Sequence, residues 1–514
     1  MLECDLGRAS HCRDMKKKRR ILVVGGVAGG ASAAARARRV DEGAEIHVFE
    51  RGPYISFANC GLPYYIAGEI EDRGKLIVMT PETFWVRSRV HAHVGHEVLS
   101  IDRARRSIRV KGPDGSERDE TYDRLILSQG AKPIVPEIAG VDLPHVFTLR
   151  DIPDMDRIAE FIRTQNPRRA VVIGGGFIGL EMAEAFHHRG LAVTIVERNP
   201  HILPLLDSDM ALQLQGRAGS PEFGFKANAH ASAFTPEGVA FRDGSFLPAD
   251  LVLLSVGVKA EVELARNAGL EIGTTGGVKT NGRMESSDPL IYAVGDAAET
   301  IHALTGARAR IALAGPANRQ GRIAGTNAAG GHLTYPGALG TSIVRLLHTT
   351  VGFTGLSSAQ AAKAGFSFFT SMTRDWSHAH YYPKATPVIT KVIAEEGTGR
   401  ILGAQILGEE GVDKRTDVFA TAIAATLTVR RVGLRTVTLA GGNVCPSTST
   451  AVAPAIKLLP CTSSVKGLKT VAGFGVGKRP VMEGGGFKMV KGRVPVLTPP
   501  PKPCASGALT TSMV

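Results

Sequence analysis

A glycine-rich turn between an apolar strand and a helix occurs twice in this chain, near residues 25 and 174, and few folds accommodate that arrangement. The second copy is the fuller one, Val171-Val-Ile-Gly174-Gly-Gly176-Phe177-Ile178-Gly179-Leu-Glu181. In such a loop the first glycine makes the tight turn and the second lets a pyrophosphate approach the backbone. The third lets helix and strand pack closely. The strand Ala192–Val196 then ends in Glu197, where an acid is placed to bind a ribose 2′-hydroxyl. A 2′-phosphate would be repelled there, which favours NADH, while Arg198 beside it leaves NADPH open.

The first copy, Gly25-Gly26-Val27-Ala28-Gly29-Gly30, puts Val27 where the middle glycine belongs. It follows the apolar strand Ile21–Val24, opens a small-residue helix over Ala31–Val40, and is followed by a strand Ile46–Phe49 ending in Glu50. A glycine-rich helix N-terminus suits a phosphate. Strands alternate with helical patterns to about residue 330, so the fold class is α/β with two Rossmann-like dinucleotide-binding domains. From Leu333 to about Val429 the pattern turns strand-rich with one helix, an α+β domain. Ile343–Leu347, Val388–Val392 and Ile401–Ile406 read as strands and Asp413–Thr426 as the helix. Gln213–Ala233 departs from a helix–strand pattern, and residues 461–514 read as low-complexity tail.

Composition excludes other classes. Six cysteines in 514 residues make no disulfide scaffold. The net charge of +13 sits at the ends: residues 1–20 carry +4 and residues 461–514 carry +7, leaving +2 for the rest. No folded module therefore offers the basic face that nucleic acid needs. Lys16–Arg20 followed by Ile21–Ala35 imitates a signal peptide, but four glycines in six positions do not suit its apolar core. A cytoplasmic protein without a membrane span is expected, with Met15 as the natural start and residues 1–14 as an extension.

The stretch Ser56-Phe57-Ala58-Asn59-Cys60-Gly61-Leu62-Pro63-Tyr64-Tyr65 holds the one cysteine between residues 13 and 444. Pro63 suits the first turn of a helix, which would set the sulfur near a helix N-terminus where a thiolate is stabilised. An isolated cysteine is more often a small buried hydrophobe. Its context decides between the two.

That context resembles the single-cysteine branch of the flavin-dependent pyridine nucleotide-disulfide oxidoreductases, over roughly residues 15–430. Tyr122–Pro133 is similar to the family's crossover motif between nucleotide domains, and Ile291–Asp296 to its second FAD motif. Leu313–Arg322 is similar to the helix beside the flavin. Gly340–Val344, Tyr381–Pro383 and Gly403–Asp417 resemble the dimerisation domain. The resemblance implies FAD-binding segments at 15–150 and 271–330, an NAD(P)H-binding domain at 151–270, a dimerisation domain at 331–450 and a tail from 451. It implies FAD contacts at Gly25, Val27, Ala28, Gly29, Gly30, Glu50 and Arg51 from the first segment. Ser128, Gly130, Gly295, Asp296 and Ala314 complete that set, with Asp296 holding the ribityl chain. NADH or NADPH would meet Gly174, Gly176, Phe177, Ile178, Gly179, Glu181 and Glu197. Coenzyme A would meet Ser32, Arg36, Arg39, Ser56, Asn59 and Asn318, and no metal is called for.

Without a Cys-x₄-Cys pair, the resemblance implies that oxidised Cys60 holds a mixed disulfide with substrate, or a sulfenate. Hydride from NAD(P)H would pass through FAD to Cys60–S–S–CoA, in a homodimer that reduces CoA disulfide or a related small disulfide or persulfide. An NADH oxidase or peroxidase cycling Cys60 through sulfenate is the alternative. Those relatives carry a histidine in the first loop where this chain has Ala28. A non-catalytic flavin-binding protein is a third reading, because the family's terminal Tyr-Ala-Pro-Pro and Ser-x-x-Lys-Asp are replaced by Leu439-Ala-Gly-Gly-Asn-Val-Cys-Pro446. No tyrosine follows Tyr382, and an altered reading frame after about residue 432 is the expectation. His378 and His380 read as a surface loop.

Overall fold

The computed structural model describes residues 18–381 and 383–432. The extension, the start at Met15, and the altered segment and tail after residue 432 lie outside the described residues.

Ile21, Leu22 and Val23 have no exposed surface because the strand Arg20–Val24 sits inside a five-stranded sheet. It runs parallel to Glu45–Glu50 on one side and to Arg124–Leu127 on the other. Ile291–Ala293 and His91–Val94 extend the sheet at its two edges. Continuous apolar runs are what a parallel sheet covered on both faces requires. The helix Ala28–Val40 buries Ala33, Ala34 and Ala37. Against it lies the helix Ala314–Ala328, so close that a Cβ at Gly321 would strike the Gly29 carbonyl and one at Gly325 that of Ala33.

A second sheet runs Phe223–Lys226, Ala192–Val196, Arg169–Ile173, Leu251–Leu254, Val146–Phe147, every neighbour parallel. Its loop after Ile173 opens the helix Phe177–His188. The Gln213–Ala233 stretch corrects the sequence expectation. It continues a helix, Ser208–Ala218, and then supplies the edge strand Phe223–Lys226. That helix buries only Met210, Ala211, Leu214 and Ala218, an apolar face that intervening Gln213, Gln215 and Gly216 obscure.

The third sheet is antiparallel, in the order Ser342–Leu346, Thr349–Gly355, Ile401–Gly408, Pro387–Glu395, Phe368–Trp376. A second helix accompanies it besides the expected one. The expected one is Val412–Ala424, and the other is Ser358–Lys363, six residues started by a Ser357/Gln360 capping box. A helix under two turns long leaves no periodicity to read. Two sets of ion pairs hold this sheet to the second nucleotide unit and, through Glu69, to the segment after residue 67. Lys391 Nζ lies 2.9 Å from Asp207 and 2.7 Å from Asp209, and Arg345 lies 2.7 Å from both Glu184 and Glu69. Among the described residues no helix is long and apolar enough to cross a membrane.

Candidate active site

The two loops share one construction. Gly25 (φ +95°) and Gly174 (φ +109°) are left-handed, and a Cβ on either would collide with a carbonyl oxygen, that of Ser128 or of Ser255. Gly30 and Gly179 press on the carbonyls of Gly25 and Gly174 in the same way. Each loop is clamped by the acid from the next strand. Glu50 accepts hydrogen bonds from Gly26 N and Gly52 N, both 2.8 Å. Glu197 accepts from Gly175 N (2.8 Å), Asn199 N (2.9 Å) and Asn199 Nδ2 (2.6 Å), and is 6% exposed.

Gly176 differs from these. Its φ is −82°, and a Cβ there would meet nothing within 4 Å. The chain itself does not require glycine at that position, so a ligand is what the open space serves.

Between the loops lies a cavity of about 870 Å³, within the range of ligand sites. All the expected flavin residues line it except Gly30, which sits under its loop. Gly176, Phe177, Ile178 and Glu181 line it from the second unit, while Gly174, Gly179 and Glu197 do not. Gln129 Oε1, in a residue of the wall, and Arg310 Nε are buried without a hydrogen-bond partner. Asp296 sits in the turn Gly295–Ala297, where burial pushes its carboxyl up and the charges of Arg310 and Arg150 oppose that. Native buried polar atoms are nearly all paired, so these groups fit a polar ligand of dinucleotide size.

Cys60 opens into the same cavity. It is the one cysteine among the described residues and lies in the turn Asn59–Gly61 that leads into the helix Leu62–Ala67, with Pro63 in its first turn. Ser56, left-handed at φ +47°, donates its N–H to Gly26 O at 2.9 Å, so the cysteine segment is pinned to the first loop. Asn59 Nδ2 reaches Arg150 O at 3.4 Å. The expectation of a stabilised thiolate is not met. Although Cys60 is exposed, the surrounding protein desolvates the sulfur, and the Glu181 carboxylate adds to that, so the thiol is pushed up. A backbone hydrogen bond only opposes the shift. A helix of six residues is too short to reverse it. Glu181 itself is pushed up to about 7, by burial first and by Glu184 second.

The residues expected to meet coenzyme A divide. Asn59 lines the cavity, whereas Ser32, Arg36, Arg39 and Asn318 lie on the helices Ala28–Val40 and Ala314–Ala328 outside it. Ser32 Oγ donates to Asn318 Oδ1 at 2.9 Å, Arg36 Nε donates to Thr326 Oγ1 at 2.9 Å, and Arg39 is exposed. Arg51 pairs bidentately with Glu261 at 2.8 and 2.9 Å, and Arg150 Nη2 joins the same carboxylate at 2.5 Å. Sequence reasoning passed over Arg150 and Glu261, whose partners lie far along the chain, and Gln129 and Arg310, whose buried unpaired atoms no motif announces. It also passed over Ser342 and Ile343, which bring the antiparallel sheet to the cavity wall. Glu69, Glu184 and His188 stand close enough together for a metal ion, but Arg345 already neutralises both carboxylates.

Two clamped dinucleotide loops facing one accessible cysteine define a two-nucleotide thiol oxidoreductase. The chain belongs to the pyridine nucleotide-disulphide oxidoreductases: that family's description matches residues 19–321, and its dimerisation domain matches residues 341–439. An NAD(P)H sulfur oxidoreductase (CoA-dependent) of Pyrococcus furiosus is 36% identical over 77% of this chain and 90% of its own length. A coenzyme A disulfide reductase of Staphylococcus aureus is 32% identical over 77% and 90%. The crystal structure of reduced CoADR-RHD from Bacillus anthracis is 43% identical, covers 85% of this chain and 79% of that one, and superposes with a TM-score of 0.80.

Proposed function

We propose that this protein is a flavin-dependent reductase that carries electrons from NAD(P)H to a mixed disulfide on Cys60, with CoA disulfide or a related persulfide as substrate. One observation carries the reading: Cys60 shares its cavity with both nucleotide loops. The similarity to a coenzyme A disulfide reductase and a CoA-dependent sulfur oxidoreductase supports the substrate class. The match to the dimerisation domain supports a homodimer. A cytoplasmic location is part of the same proposal.

FAD, when bound, accepts hydride from NAD(P)H and passes two electrons to a disulfide. Gly25, Gly26 and the N-terminus of Ala28–Val40 would receive its pyrophosphate. Glu50 would take a ribose hydroxyl, and Asp296 the ribityl chain. Gly176 leaves room for the nicotinamide dinucleotide, with Glu197 clamping that loop from beneath. The Cys60 thiolate attacks one sulfur of the disulfide, the first thiol leaves, and a mixed disulfide forms. Two electrons then break that bond, release the second thiol and restore Cys60. In sum NAD(P)H, one proton and the disulfide give NAD(P)⁺ and two thiols.

The test is anaerobic NAD(P)H consumption by flavin-loaded protein, with and without CoA disulfide. Turnover that requires the disulfide and vanishes in Cys60→Ser establishes the reductase. Consumption that requires oxygen instead identifies an oxidase, and flavin binding without any turnover identifies a binding shell.

A further inference from the structure

The dipeptide Glu-Arg follows both nucleotide loops, as Glu50-Arg51 and as Glu197-Arg198, and the fold uses the two copies in opposite ways. In the first, Glu50 is half-buried, lines the cavity and accepts two hydrogen bonds, from Gly26 N and Gly52 N. Its neighbour Arg51 is taken, held bidentately by Glu261 at 2.8 and 2.9 Å. In the second, the acid is taken and the arginine is left. Glu197 is 6% exposed, lies off the cavity wall and accepts three hydrogen bonds. The added donor is Asn199 Nδ2 at 2.6 Å, from the position that Gly52 holds in the first copy. Backbone bonds lock the residues on either side of Arg198. Glu197 N donates to Lys226 O, Ala229 N to Glu197 O, and Asn228 N to Asn199 O. Arg198 between them is exposed, and its guanidinium makes no hydrogen bond or ion pair among the described residues.

A dinucleotide site of this kind tells its ligands apart at the ribose next to adenine. An open carboxylate there accepts from a free 2′-hydroxyl, and an arginine accommodates a 2′-phosphate. A carboxylate has about four lone-pair sites. Glu197 gives three of its own to donors of the same chain, and burial withholds the rest from a ligand. A guanidinium with its donors free matches the oxygens of a phosphate. The other charges at this strand end are Lys226 and, 3.8 Å from it, Asp243, which offset one another. Resting on the reading that the second loop takes the nicotinamide dinucleotide, we propose that its preferred ligand carries a 2′-phosphate. NADPH is then the favoured reductant, and Arg198 is the residue that sets the preference. Spacing in the sequence favoured NADH because it shows the acid and not the donors that occupy it.

The experiment needs no turnover. FAD-loaded protein is titrated calorimetrically with adenosine 2′,5′-bisphosphate and with 5′-AMP, which differ only in the 2′-phosphate. Wild type should bind the bisphosphate about 10- to 100-fold more tightly, the range of one hydrogen bond between charged groups. Arg198→Ala should erase that ratio, and Arg198→Lys should keep part of it. Asn199→Gly, which frees a lone pair on Glu197 Oε1, should narrow the ratio from the other side by tightening 5′-AMP. In turnover, kcat/KM for NADPH over that for NADH should change in the same order across these proteins, through KM rather than kcat. Equal affinities in wild type, or tighter binding of 5′-AMP, overturn the proposal. A preference that survives in Arg198→Ala overturns it as well. If neither nucleotide binds, the assignment of the second loop has failed and the proposal falls with it. If the preference stands but CoA disulfide is not reduced, the reductase reading fails alone.

Discussion

The Gly25 and Gly174 loops are built alike where the chain touches itself and differ where it does not. In both, a left-handed first glycine clears a serine carbonyl, the last glycine clears the first, and a glutamate from the next strand holds the second amide at 2.8 Å. The middle position is Val27 in one loop and Gly176 in the other, and nothing stands within 4 Å of a Cβ on Gly176. The position after next is Gly29 in one, pressed toward Ser128, Val294 and the Ala314–Ala328 helix, and Ile178, 39% exposed, in the other. The first helix is crowded by a second helix and the other is open toward the cysteine. Self-contact therefore sets the outer glycines, and ligand contact sets the middle one.

The largest effect expected from breaking this comparison is at the outer glycines. Gly174→Ala should cost ~3 kcal/mol or more, from strain at positive φ together with displacement of the Ser255 carbonyl. Gly25→Ala should cost as much against Ser128, both measured by denaturant unfolding of cofactor-free protein. Next come the clamps. Glu197→Gln replaces a buried carboxylate that accepts three hydrogen bonds and should destabilise by ~2 kcal/mol, whereas Glu50→Gln, half-buried with two, should cost about half that. Equal losses would mean that the difference in burial is irrelevant.

Acid should act on the first unit selectively. His93, on its edge strand His91–Val94, is pushed down to about 4, by burial first and then by the charges of His47, His96, Arg118 and His91. His47 Nδ1 lies 3.0 Å from His93 Nε2, and its Nε2 lies 2.8 Å from Glu45. The unfolded chain takes up this proton near 6.5 and the folded chain only near 4, so stability is full above 6.5 and falls by ~2 kcal/mol as pH drops toward 4. Urea unfolding of His93→Gln across that range should show a shallower fall. The smallest structural effect belongs to Gly176→Ala, within ~1 kcal/mol in stability because only the helix cap is altered. Its KM for NAD(P)H should nevertheless rise about 10-fold. A large loss of stability there would contradict the assignment of that space to a ligand.

What the sequence made legible follows the same division. Loops, strands and clamping acids are local in the chain, so Gly174, Glu197, Gly25 and Glu50 could be read with their partners. The cysteine turn with Pro63 was equally local. The electrostatics of Cys60 were not, because Glu181 approaches from a helix more than a hundred residues away and raises the thiol that a helix N-terminus was expected to lower. The wall formed by Arg51, Arg150 and Glu261 is assembled across comparable separations, and no spacing rule announces it. The short helices Ser208–Ala218 and Ser358–Lys363 escaped notice because a polar face or six residues cannot carry a period.

The central claim is that Cys60 carries the substrate's thiol as a mixed disulfide. Peptide mass mapping of flavin-loaded protein, incubated with CoA disulfide and quenched in acid, tests it most directly. One CoA adduct confined to the Cys60 peptide, absent from Cys60→Ser and lost on anaerobic addition of NADH, is the predicted result. An unmodified Cys60, or an adduct that NADH leaves in place, would contradict it.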